Sequence, residues 1–93
     1  MITEKDRQIA ANVALDCAVD FCATVTEKEM KINETANIFF DFFNKYNYTQ
    51  DRINIQACLK RAIKYCSLNN KKTSIKEIMN IATSFFNYVV NKK

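Results

Sequence analysis

The 93-residue chain contains no glycine, no proline, no histidine and no tryptophan. Glycine supplies the positive φ of tight hairpin turns and proline stiffens turns, so an all-β chain of this length would rarely lack both. Its absence also rules out a glycine-rich phosphate loop and a dinucleotide-binding fingerprint. Without histidine there is no imidazole to act as a general base and no common zinc ligand. No apolar run approaches the roughly 20 residues needed to span a bilayer. The N-terminal segment, Met1 to Arg7, is charged and has no small-residue cleavage site, so no signal peptide is expected.

What is present points to helices. Hydrophobic residues make up 48% of the chain and charged residues 26%, the balance of a single globular domain spanning 1–93. The four cysteines fall on helical apolar faces and lack the paired spacing of a metal site, so they are expected to be reduced, buried and small. A Cys22–Cys66 bridge stays open as an alternative. Asn44, Asn47, Asn69 and Asn70 cluster where the helices should break, and asparagine can replace glycine at helix ends.

Apolar periodicity predicts a first helix from about Thr3 to Ala23, capped by Thr3, with Glu4 and Asp6 in its first turn. Ile9, Val13, Cys17 and Phe21 form one row, widened by Ala14, Ala18, Cys22, Leu15 and Val19. The polar stripe Gln8, Asn12, Asp16, Asp20 is narrow, so this helix should be buried on most sides. Thr26 to Glu29 reads as a capping box for a second helix ending near Lys45. Its residues 39–43 include four phenylalanines, more than one apolar face holds easily. Phe40 and Phe42 are therefore a candidate exposed patch. A third helix runs from Thr49 to about Leu68, with Gln56, Lys60 and Lys64 on its wet stripe and Arg61 beside them. Ser74 to Glu77 is a second capping box, opening a fourth helix that ends near Asn91.

The strongest internal signal is a repeat. Leu15, Ala18, Val19, Phe21 and Cys22 match Leu59, Ala62, Ile63, Tyr65 and Cys66, while Asp16 and Asp20 become Lys60 and Lys64. Ile32, Ala36, Phe39, Phe40 and Phe42 likewise match Ile78, Ala82, Phe85, Phe86 and Tyr88. The expected fold is all-α: a four-helix arrangement of two repeated helical hairpins, 3–46 and 49–91, with pseudo-two-fold symmetry. The matched residues should face inward and the mismatched ones outward.

Charge divides along the same line. Residues 1–46 carry five Lys/Arg against eight Asp/Glu, and residues 47–93 carry nine against two. No catalytic residues, cofactor or metal site are expected: the serines lack a base, and Asp16 with Asp20 alone make a weak cation site. Binding is the expected mode of action. A basic patch of Lys60, Arg61, Lys64, Lys71 and Lys72 would suit phosphates, giving a small nucleic-acid-binding protein as one reading. The acidic stripe and surplus phenylalanines would suit a protein partner or a homodimer.

Asp6-Arg7-Gln8, Ala14-Leu15, Ala18-Val19, Ala36 and Phe39-Phe40 resemble a short helical hairpin common in small phage and prophage proteins. The likeness covers roughly the first half of the chain. By analogy with small helical phage proteins, it implies a non-enzymatic inhibitor in the cytoplasm of a bacterial host. Its partner would be a host protein such as a CRISPR effector or another nuclease, met by protein–protein contact in the manner of an anti-CRISPR protein. Asp16, Asp20, Phe40, Phe42, Lys60, Arg61, Lys64, Lys71 and Lys72 are the candidate partner-binding residues.

Overall fold

The structure, a computed structural model, describes residues 3–25, 30–68 and 74–91. It contains four helices: α1 (Glu4–Val25), α2 (Met30–Phe43), α3 (Thr49–Leu68) and α4 (Ile75–Asn91). There is no strand among the described residues. The expected box at Thr26–Glu29 lies outside them, as do Lys71 and Lys72.

Local chemistry sets the helix starts. The Thr3 amide donates to Asp6 Oδ2 at 3.1 Å and the Asp6 amide donates to Thr3 Oγ1 at 3.1 Å. This is a reciprocal capping box with aspartate in the place usually held by glutamate or glutamine. At α4 the Glu77 amide donates to Ser74 Oγ at 3.2 Å, and the Ser74 hydroxyl donates to Glu77 Oε1 at 3.3 Å. A cap of either kind contributes about 1 kcal/mol. α2 ends without glycine by tightening: Lys45 and Tyr46 amides donate three residues back, to Phe42 and Phe43 carbonyls.

α1 packs on α2 and α3 packs on α4, which gives the two hairpins. α1 and α3 then join them, with a lesser contact between α2 and α3. The molecule measures 36 × 29 × 15 Å between Cα extremes. The short dimension is that of two helix layers about 8–10 Å apart. α1 and α3 run parallel: Asp6 and Thr49, at their starts, are hydrogen-bonded, while residues 16–23 and 60–68 share a groove further along.

The core is continuous across both hairpins. Ala10, Ala14, Cys17, Ala18, Phe21 and Cys22 of α1 meet Phe39, Phe42 and Phe43 of α2. Ile55, Cys58, Leu59, Ala62, Ile63 and Cys66 of α3 meet Ile78 and Ala82 of α4. Phe39 and Phe43 are fully buried, and each such ring contributes about 1.5–3 kcal/mol. All four cysteines are free and buried, and the Cys22 thiol donates to Thr35 Oγ1 at 3.9 Å.

Three expectations are corrected here. α1 is not buried on most sides, because only α2 and α3 cover it substantially and Ile9, Leu15 and Val19 stay exposed. Gln56 is buried and leaves the wet stripe of α3. The phenylalanine surplus of α2 is absorbed inside the chain. Phe42 is only 7% exposed and Phe40 is half-buried against the core, so the two do not form an exposed patch. The acceptor is Tyr46, in the link after α2. Its ring meets Phe42 edge-on at 6.0 Å between centroids and Phe86 of α4 at 4.8 Å, joining the two hairpins through three aromatic rings.

The hairpins share a pattern more than an environment. Ala18 with Ala62 and Cys22 with Cys66 are buried in both copies. Val19 is exposed where Ile63 is buried, and Phe21 is buried where Tyr65 is exposed. At 3.6 residues per turn, the buried arcs of α1 and α3 share one row and spread from it in opposite directions, an offset of roughly 70°. α4 is also the shallower of the outer helices: Phe85 and Val89 are half-buried and Tyr88 is exposed, against buried Phe39 and Phe42 in α2.

Candidate functional site

Two concave regions lie at opposite ends of the parallel α1–α3 pair. The larger is a groove of about 740 Å³ lined by Asp16, Val19, Asp20 and Ala23 of α1 with Lys60, Ile63, Lys64, Ser67 and Leu68 of α3. The four residues that change sign between the repeats therefore face one another across a common space. Parallel packing in nearly matching register puts α1 residue n beside α3 residue n + 44, and the wet stripes follow the shared edge. Val19 and Leu68 add exposed apolar surface to this groove.

This corrects the division of the surface expected from charge counts. Asp16, Asp20, Lys60 and Lys64 do not form an acidic face and a separate basic face. A polyanion approaching Lys60 and Lys64 also approaches two carboxylates, which lowers the attraction that phosphate binding requires. Arg61 lies off this groove, on a smaller apolar depression with Tyr65, Phe85, Tyr88 and Val89.

Of the residues lining the second concave region, the sequence singles out only Phe40 as a candidate for partner binding. This region is a pocket of about 270 Å³ lined by Arg7, Phe40, Asn44, Asn47 and Arg52, where the end of α2 meets the starts of α1 and α3. Arg52 is only 5% exposed. Its Nε donates to the Tyr46 carbonyl at 2.9 Å and its Nη2 donates to Asn44 Oδ1. The guanidinium thus clamps the link between the hairpins by two arms. The third arm, Nη1, is the one buried side-chain polar atom without a hydrogen-bond partner among the described residues. An unpaired buried donor of this kind costs about 1–3 kcal/mol. The sequence signal for this site is faint: one arginine in the first turn of a helix, where basic residues are disfavoured by the helix dipole.

Electrostatics at the starts of α1 and α3 are coupled. The Thr3 amide, donating to Asp6, holds its carboxyl below the usual aspartate value, and the Thr3 and Thr49 hydroxyls and the Arg52 charge act in the same direction. In the core, burial pushes the Cys17 thiol up to about 12, with Lys60 opposing and Asp20 and Asp16 adding to the rise. Burial also raises the Cys58 thiol, against the opposing influence of Arg61. Raised thiols are poor nucleophiles at neutral pH. Among the described residues no three Cys, Asp or Glu side chains are grouped to hold a metal ion. No described helix is long and apolar enough to cross a membrane.

Compared with known protein families, curated proteins and solved structures, the chain matches none.

Proposed function

We propose that this protein acts by binding another protein, as an inhibitor carried by a phage or other mobile element. In this reading it docks on a host nucleic-acid-handling defence protein in the bacterial cytoplasm, in the manner of an anti-CRISPR protein, and performs no catalysis. The observation that carries the reading is the α1–α3 groove, where Asp16 and Asp20 oppose Lys60 and Lys64 beside exposed Val19 and Leu68. Apolar residues ringed by charges of both signs suit a protein surface, which pairs each sign and covers the apolar area. The mobile-element origin rests on the resemblance of the first hairpin to small phage proteins, and the nature of the partner rests on analogy with them.

The test is co-purification of the tagged chain from a bacterial host, with and without nuclease treatment, beside the variant Val19→Asp. A stoichiometric protein partner that survives nuclease and is lost with Val19→Asp is the expected result. Recovery of nucleic acid alone, with a retarded band in gel shift that disappears in Lys60→Glu/Lys64→Glu, would overturn it in favour of a nucleic-acid-binding protein.

A further inference from the structure

We infer that the pocket between Arg7 and Arg52 is a binding site for a single carboxylate group carried on a short apolar stem. It lies at the other end of the α1–α3 pair from the docking groove, about 20 Å along α1 at 1.5 Å per residue, and does not depend on it.

The argument begins with the donors. Arg52 lines the pocket, is buried, and has two of its three nitrogens occupied by the Tyr46 carbonyl and the Asn44 side chain. Nη1 remains, with its N–H groups unpaired. Asn44 spends its oxygen on Arg52, which leaves its amide nitrogen as a further donor. Arg7, exposed on α1, brings a second guanidinium to the same pocket, and Asn47 brings a second amide. Donors therefore outnumber acceptors, and the missing partner is an acceptor with more than one oxygen. Guanidinium groups bind carboxylate and phosphate in this way.

Shape decides between the two. Phe40 supplies an apolar wall, half-buried and packed against the core, on which a methylene stem can rest. The stem can belong to a free short-chain carboxylic acid or to a glutamate side chain of a peptide. Both present the same group.

Three probes separate these sources: butyrate, N-acetyl-glutamate amide (charged only at its side chain) and inorganic phosphate. Each is titrated into the full chain at constant ionic strength, with amide chemical shifts of residues 40–52 and melting temperature as readouts. Butyrate is expected to bind saturably in the millimolar range, shift the Arg52 side-chain resonances and raise the melting temperature. Equal binding of the glutamate probe assigns the site to a peptide carboxylate, and butyrate binding alone assigns it to a small acid; either supports the inference. Arg7→Ala, an exposed change that leaves the Arg52 clamp in place, is expected to weaken binding about tenfold with an unchanged circular dichroism spectrum. No saturable shift with either carboxylate, tighter binding of phosphate than of both, or full affinity in Arg7→Ala would overturn it.

Discussion

Leu15 and Leu59 hold the same place in the repeated segment and opposite surroundings: Leu59 is 0% exposed and Leu15 is 42% exposed. The difference follows from neighbours. α3 is packed by α4, α1 and, to a lesser extent, α2, whereas α1 is packed by α2 and α3. Leu59→Ala is therefore expected to cost about 2–5 kcal/mol, and Leu15→Ala about 0.5 kcal/mol or less. Urea unfolding midpoints of the two variants measure this directly; equal losses would contradict the placement of α1.

Arg52 is expected to be a stability residue out of proportion to its type. Arg52→Met keeps most of the volume but leaves the Tyr46 carbonyl and Asn44 without their donor, at a cost of about 1–3 kcal/mol. Arg52→Lys should recover little, because a single ammonium cannot reach both acceptors as the guanidinium fork does. Amide hydrogen exchange across 44–48 should accelerate in both variants more than exchange in the core of α3.

Alkaline pH should destabilise the fold through Cys17. Burial raises this thiol from 9.0 to about 12. The unfolded chain therefore loses the proton first, and the stability it contributes is whole below pH 9.0 and is lost progressively up to about pH 12. Cys17→Ala should flatten that part of the stability–pH curve, measured by urea unfolding at stepped pH. For the same reason, iodoacetamide should modify the native protein slowly, at the rate of its opening, since all four cysteines are buried.

Asp6 contributes on the acid side. Its folded carboxyl titrates below 3.8, so its contribution is present above that value and fades as pH falls through the lower folded value. Asp6→Asn should remove this dependence and expose the start of α1 to fraying, visible as faster amide exchange in its first turn.

Helix number and order were legible in the sequence because each rests on local chemistry: Thr3 and Ser74 cap, and the apolar rows repeat at helical spacing. Which apolar residue is covered was less legible. Period alone gives a face, and its width depends on how many helices pack there. That is why periodicity puts Val19 and Leu15 inside, and why it leaves Phe42 without the place that Tyr46 provides. The sign change from Asp16 and Asp20 to Lys60 and Lys64 was visible in the sequence. Its meaning was not, because charges counted by halves of the chain say nothing of parallel helices that bring the two stripes to one groove. Arg52 was hidden for a related reason: a buried arginine is recognised only by the carbonyl and amide it holds.

The parallel contact between α1 and α3 also bears on ancestry. A hairpin that pairs with its own copy must present the same side chains on both halves of the contact. Here Ile63 is buried where Val19, its counterpart across the contact, is exposed. The two halves are plug and socket, each shaped to the other and not to itself. A chain built from two first hairpins would therefore repeat the motif without rebuilding the molecule.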